Sequence, residues 1–177
     1  MKIAVFSSKS YDQKYFNQIN EDFHHEINYF EVSLKPSSVK LAEGHDVVCA
    51  FVNDRINKDT IQELSSMKIG LIALRCAGFN NVDLEAAREA DIQIMRVPAY
   101  SPYAVAEHAA ALILSLNRKI HKAYNRVRDN NFSLERLAGF DLNDKKVGII
   151  GTGKIGRVFA GIMKGFGTDI LGYDVYP

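Results

Sequence analysis

The chain has 177 residues, 47% of them hydrophobic and 24% charged, a composition that supports a folded core and excludes an intrinsically disordered segment. Its formal net charge of +1 sets up no extended field of either sign, so neither nucleic acid nor an anionic membrane is offered an electrostatic handle, and a small molecule is the expected partner. Two cysteines, Cys49 and Cys76, are too few for a disulfide framework or a zinc site and fit a reducing, cytoplasmic setting.

In chain order, short apolar and β-rich runs recur at Ile3 to Phe6, Ile27 to Phe30, Val47 to Phe51, Leu71 to Leu74 and Ile92 to Val97. The first is too short for the core of a signal peptide. Helices are predicted between these runs, starting near Asp12, Thr60 and Asp83, where a polar cap precedes apolar residues at helical spacing. Strands alternating with helices imply βαβ units and a parallel sheet.

The pattern changes near Pro98. Ser101 offers an N-cap and Pro102 suits a first helical position, so residues from Tyr103 to Lys122 read as one long helix. Its apolar residues, among them Val105, Ala106, Leu112, Ile113, Leu116 and Ile120, lie on nearly all sides, which predicts cover all round and an interdomain position. Its longest apolar stretch, Ala109 to Leu116, is far below the roughly 20 residues that span a bilayer. The Lys and Arg side chains between Arg118 and Arg136 are interrupted by Asp129 and Glu135 and read as a solvated helix face.

A polar connector is predicted from Asn125 to Asp144, then a strand from Lys146 to Ile150, a helix from Ile155 to Phe166 and a strand from Ile170 to Tyr173. A domain boundary is placed at residue 100, dividing the chain into 1–100 and 101–177.

The strongest motif lies in the second part. Gly151-Thr152-Gly153-Lys154-Ile155-Gly156 matches GxGxxG directly after one strand and directly before an apolar helix. The first glycine makes the tight turn, the second lets backbone approach a pyrophosphate, and the third lets helix pack on strand, with the helix N-terminus toward the anion. Asp174, at the end of the next strand, stands where an acceptor for ribose hydroxyls belongs. A ribose phosphate would sit beside that carboxylate, so NAD is expected over NADP. Gly148 to Lys154 nearly spells a phosphate-binding P-loop, but Ile155 occupies the position that needs Ser or Thr for magnesium. No metal site is predicted.

In the first part, the strand ending at Leu74 leads into Arg75-Cys76-Ala77-Gly78-Phe79-Asn80-Asn81-Val82-Asp83. A small-residue turn between strand and helix exposes backbone N–H groups, a site suited to a carboxylate but also explicable as a plain tight turn.

This segment, with Arg96-Val97-Pro98-Ala99-Tyr100-Ser101-Pro102, then Val105-Ala106-Glu107-His108, then Asn130 to Phe140 and the glycine fingerprint, resembles the NAD-dependent D-2-hydroxyacid dehydrogenases, in their fermentative D-lactate branch. The resemblance implies an α/β architecture: a flavodoxin-like parallel-sheet substrate domain over 1–100, followed by the start of a Rossmann NAD-binding domain. It further implies that the amides of Ala77 and Gly78 hold a substrate carboxylate, that the Tyr100 hydroxyl reaches the same group, and that Arg75 adds charge nearby. Tyr100 also reads as a core aromatic and Arg75 as a structural ion pair. The cofactor set implied is Gly151, Gly153, Lys154, Ile155, Gly156 and Asp174, with Val105 from the long helix.

In such enzymes a histidine donates a proton to a 2-oxo acid, a glutamate tunes it and an arginine polarises the carbonyl. All three lie in the later half of the family sequence. Neither His108 nor His121 matches that acid, and His24, His25 and His45 have no motif around them, so these 177 residues are expected to be an inactive N-terminal portion. A homodimer or higher homo-oligomer is expected. Other D-2-hydroxy acids, with Phe79 a candidate for limiting pocket size, and an NAD(H)-sensing regulatory module of the same fold stand as alternatives.

Overall fold

The computed structural model describes residues 1–176; Pro177, the last residue of the expected second domain, lies outside them. The chain divides into two compact units, Met1–Tyr100 and Ser101 onward.

The first unit is built on five parallel strands: β1 (Lys2–Val5), β2 (Glu26–Tyr29), β3 (Val47–Ala50), β4 (Leu71–Leu74) and β5 (Gln93–Arg96), in the order β2-β1-β3-β4-β5. That is the flavodoxin-like order, in which the succession of strands across the sheet reverses between β1 and β3 and ligands gather at the carboxyl ends. The central strand β3 is buried along its whole length, as expected of a parallel strand covered on both faces. The core gathers Phe6, Leu34, Val48, Ile56, Ile61, Leu64 and Ile72, all inaccessible.

The strands depart from the expected bounds by at most one residue. Helix starts depart more. α1 (Ser10–Asn20) begins ahead of Asp12, which instead accepts the Lys9 N–H from inside the first turn, 2.9 Å. α2 (Lys58–Ser66) begins ahead of Thr60, because Asn57 is the cap and accepts the Thr60 N–H at 3.2 Å. α3 (Leu84–Glu89) is capped by Asp83 as expected, through the Ala86 N–H at 3.0 Å. A short 3-10 turn over Val39–Ala42 had no sequence signal.

The second unit corrects the long helix. α4 (Pro102–Asn117) stops at Arg118, Lys119 turns left-handed at φ 56°, and α5 (Ile120–Arg128) occupies the start of the expected polar connector. The cause is a clasp 23 residues away in sequence. Asn117 donates from Nδ2 to the Phe140 carbonyl at 2.7 Å and accepts the Phe140 N–H at 3.0 Å. Gly139 packs so close to the Asn117 carbonyl that no side chain fits there. The segment laid across the helix end is held by the Asn117 side chain, and the left-handed Lys119 turns the chain out of the helix there.

Within this chain α4 is covered on one side. Ala106 and Ala110 are buried, while Leu112 and Leu116 are 50% and 61% exposed. The helix packs on α6 (Lys154–Gly165) along one face. β6 (Lys146–Ile150) pairs in parallel with β7 (Asp169–Tyr173), giving one β-α-β unit.

Candidate functional site

Each unit presents one cradle of unpaired backbone amides. In the first, the chain leaves β4 at Leu74 and turns through Ala77 and Gly78 before α3. No acceptor among the described residues takes the N–H of Ala77, Gly78 or Phe79. Amides left open at a strand end form a concavity suited to an anion.

Three successive carbonyls of the same loop are held. Cys76 O accepts the Val97 N–H at 3.3 Å, Ala77 O accepts from Arg96 Nη1 at 2.9 Å, and Gly78 O accepts from Cys76 Sγ at 3.2 Å. Burial pushes the Cys76 thiol pKa up, with the Arg75 guanidinium opposing that shift, so the thiol stays protonated and can donate. The Arg96 guanidinium also stacks over Phe79, 5.2 Å to the ring centre, and approaches the Pro98 carbonyl at 3.4 Å.

Tyr100, two residues beyond Pro98, is 61% exposed, so the core-aromatic reading does not hold within this chain. Arg75 is arranged differently. Its Nη1 and Nη2 donate to Phe6 O at 2.9 Å and Ser7 O at 3.1 Å, its Nε lies 3.6 Å from Asp12, and its plane rests on Phe51. The structure therefore commits this guanidinium to tying β1 and β4 together, the structural side of the two readings.

Sequence reasoning missed Asp54. It is 2% exposed, and its carboxylate accepts the Ser7 hydroxyl at 2.6 Å, the Leu34 N–H at 2.9 Å and the Phe51 N–H at 2.6 Å. Asn81 donates to the carbonyls of Phe51 and Asp54 at 3.1 and 2.9 Å. Together they lock the carboxyl ends of β1 and β3 to the loop after β4.

In the second unit, the glycine fingerprint forms the turn from β6 into α6. Gly151 has φ 97°, a conformation that only glycine adopts without strain. A Cβ on Gly156 would collide with the Gly151 carbonyl, so helix and strand meet only because that side chain is missing. At Gly153 a Cβ would meet no protein atom: the space beside it is open. Gly153 caps α6 without a side chain, and no acidic residue sits in the first turn. The N–H groups of Gly153, Lys154, Ile155 and Gly156 have no acceptor among the described residues. They point a helix N-terminus and its partial positive charge at that open space.

Asp174 closes the cradle. Its Oδ2 accepts the Thr152 N–H at 2.6 Å and the Thr152 hydroxyl at 3.1 Å, and its Oδ1 accepts the Tyr176 N–H at 3.1 Å. The Tyr176 and then the Thr152 hydrogen bonds hold its pKa below the ordinary carboxylate value, so it is an anion with lone pairs left over for sugar hydroxyls. These residues fit a dinucleotide: open space over four unpaired donors, and an acceptor at the neighbouring strand end. Val105 lies on the second turn of α4, 40% exposed.

Among the described residues no histidine ring bonds a carboxylate; His45 contacts Asn28 and the carbonyls of Ala42 and Glu43. No group of residues able to hold a metal ion occurs among them, and no helix is long and apolar enough to cross a membrane.

Known proteins resemble the chain over its whole length. The chain is 53% identical over 176 residues to a "2-hydroxyacid dehydrogenase homolog" of Haemophilus influenzae, covering 99% of this chain and 53% of that protein. It is 52% identical over 177 residues to D-lactate dehydrogenase of Escherichia coli, covering 100% of this chain and 54% of that protein. The apo-structure of the Escherichia coli enzyme superposes with a TM-score of 0.91, covering 100% of this chain and 56% of that one. A D-lactate dehydrogenase from Lactobacillus jensenii crystallised with NAD+ is 30% identical, with a TM-score of 0.69 and coverage of 99% and 54%. The chain thus spans about half the length of the curated relatives it matches. The family model for the catalytic domain of D-isomer specific 2-hydroxyacid dehydrogenases matches residues 3–168, and the chain belongs to that family.

Proposed function

We propose that this chain forms the substrate-carboxylate and dinucleotide-binding part of an NAD-dependent D-lactate dehydrogenase, which interconverts pyruvate and D-lactate. The observation that carries the reading is the row of open N–H groups on Ala77, Gly78 and Phe79, a cradle matched to a carboxylate. It is supported by 52% identity to a D-lactate dehydrogenase over the whole chain.

In this reading the amides of Ala77 and Gly78 hold the 2-oxo acid by its carboxylate, and the Tyr100 hydroxyl adds a donor. Arg75 acts through the backbone that it braces. Gly151, Gly153, Lys154, Ile155 and Gly156 surround the pyrophosphate of NAD, Asp174 accepts from the ribose, and Val105 contributes apolar surface. Bound NADH supplies the hydride for the substrate carbonyl. The open amides also stabilise the carboxylate by hydrogen bonds without giving up a proton, so the substrate stays an anion while its carbonyl reacts.

Proton transfer needs a group of another kind; among the described residues no histidine ring bonds a carboxylate. The 177 residues alone are therefore read as binding without turnover, with the proton donor, its glutamate and the carbonyl-polarising arginine supplied by later sequence. The carboxylate of Asp174 favours NAD over NADP.

The test is an NADH-oxidation assay of the full-length polypeptide with pyruvate and with branched 2-oxo acids, the product resolved on a chiral column. Preferential turnover of pyruvate to D-lactate supports the reading. Preference for a branched acid moves the assignment within the family, and a folded protein inert toward every 2-oxo acid overturns it.

A further inference from the structure

We propose that Arg96 is a positioning residue for the substrate carboxylate: its guanidinium holds the Ala77–Gly78 peptide so that the Gly78 N–H faces outward, and ties that loop to the segment leading to Tyr100. The inference rests on the carboxylate-cradle reading above.

A peptide unit is planar and trans, so its C=O and its N–H point in opposite directions. Fixing the carbonyl of one residue therefore aims the N–H of the next. Along this loop the rule operates three times in succession. Val97 N–H holds Cys76 O and so sets the Ala77 N–H, Arg96 Nη1 holds Ala77 O and so sets the Gly78 N–H, and Cys76 Sγ holds Gly78 O and so sets the Phe79 N–H. Three consecutive amides are thus aimed by three carbonyl contacts, while none of them has an acceptor of its own among the described residues.

Arg96 differs from the other two holders in carrying a charge. A charged donor on a carbonyl makes a shorter, stronger bond than a neutral one and polarises the peptide, leaving its N–H a better donor. It is also fixed despite its exposure. The same Nη1 lies 2.9 Å from Ala77 O and 3.4 Å from Pro98 O, and the guanidinium plane covers the Phe79 ring. One side chain thereby joins both segments that the carboxylate reading needs, the amide loop and the approach to Tyr100. A planar fork that stacks and bridges is a task for arginine, and a lysine ammonium performs only part of it.

The experiment uses the full-length polypeptide and its Arg96→Lys and Arg96→Met variants. It measures the pyruvate KM, kcat, the inhibition constant of oxamate, the NADH dissociation constant and the unfolding midpoint. Arg96→Met is expected to raise the pyruvate KM and the oxamate constant together by about tenfold, with kcat changed by less than about threefold and NADH affinity by less than about twofold. Arg96→Lys should fall between. Unchanged KM and oxamate values in both variants overturn the inference, as does a loss of NADH affinity or of the unfolding midpoint in step with KM, which is the pattern of a merely structural residue. A wild-type protein that neither reduces pyruvate nor binds oxamate overturns the cradle reading itself, and this inference with it. A wild type that does both while Arg96→Met matches it overturns the inference alone.

Discussion

Asp174 Oδ2 sits 2.6 Å from the Thr152 amide nitrogen, joining the end of β7 to the middle of the glycine turn. In the proposed reading, that contact aligns the ribose acceptor with the phosphate cradle before any ligand arrives. Because the folded-state pKa lies below the ordinary carboxylate value, the clasp adds stability above the unfolded-state pKa and loses it as pH falls through the depressed folded value. Asp174→Asn should flatten that acid limb in urea unfolding curves recorded from neutral to strongly acidic pH. The same variant should lower NADH affinity by about tenfold and narrow the preference for NADH over NADPH. A variant with wild-type selectivity would remove Asp174 from cofactor recognition.

Two glycines of the fingerprint should separate folding from binding. Gly156 has no room for a methyl group against the Gly151 carbonyl, whereas Gly153 opens on empty space. Gly156→Ala is expected to cost about 1–3 kcal/mol of stability through overpacking. Gly153→Ala meets no protein atom and should cost only about 0.5–1 kcal/mol, the penalty of an alanine at the N-cap, yet weaken NADH binding at least about tenfold by blocking the pyrophosphate. Chemical denaturation and NADH titration of both variants check the pair. Equal effects of the two substitutions on stability would contradict it.

Asp54 should prove a structural anchor. Its carboxylate receives donors from Ser7, Leu34 and Phe51, and so joins three segments through one side chain. Asp54→Ala strands those donors and should destabilise the fold by roughly 3 kcal/mol, with unpaired buried groups costing about 1–3 kcal/mol each and water relieving some of them. Asp54→Asn keeps acceptor capacity on one oxygen only and should lose less. Equilibrium unfolding measures both.

Lys119 holds a left-handed conformation at φ 56° and ψ 31° between α4 and α5. Replacing it with glycine relieves that strain, and the gain is partly offset by a freer unfolded chain. Lys119→Gly should stabilise the protein by about 0.5 kcal/mol or slightly more, read as a higher denaturation midpoint. A lower midpoint would show that the lysine side chain makes a compensating contact.

The strands were legible because a buried parallel strand is a short unbroken apolar run, and Val47–Ala50 and Leu71–Leu74 fell where those runs lie. The glycine cradle was legible too, since its glycines, flanking elements and Asp174 are close in sequence. The end of α4 was not. Its apolar spacing continues through Ile120, and what stops it is Asn117 meeting Phe140, a long-range contact that no local pattern announces.

Asp54 and Arg96 were missed for a related reason. An aspartate in Val52-Asn53-Asp54 looks like turn chemistry, and an arginine at a strand end looks like a solvated charge. Only the assembled sheet brings Leu34 to the first and Ala77 to the second. Arg96 did stand in the quoted Arg96-to-Pro102 segment, immediately before the Val-Pro that leads to Tyr100, and that adjacency was the available signal. Arg75 shows the converse: its place beside the amide loop suggested ligand contact, while its nitrogens reach β1 instead.

The most direct measurement is a calorimetric titration of the full-length polypeptide with NADH, repeated with NADPH. Saturable NADH binding at one site per chain, tighter than NADPH and weakened by Gly153→Ala, is the predicted result. A well-folded protein that shows no saturable uptake of NADH would contradict the assignment of the Gly151–Gly156 turn and Asp174 to a dinucleotide.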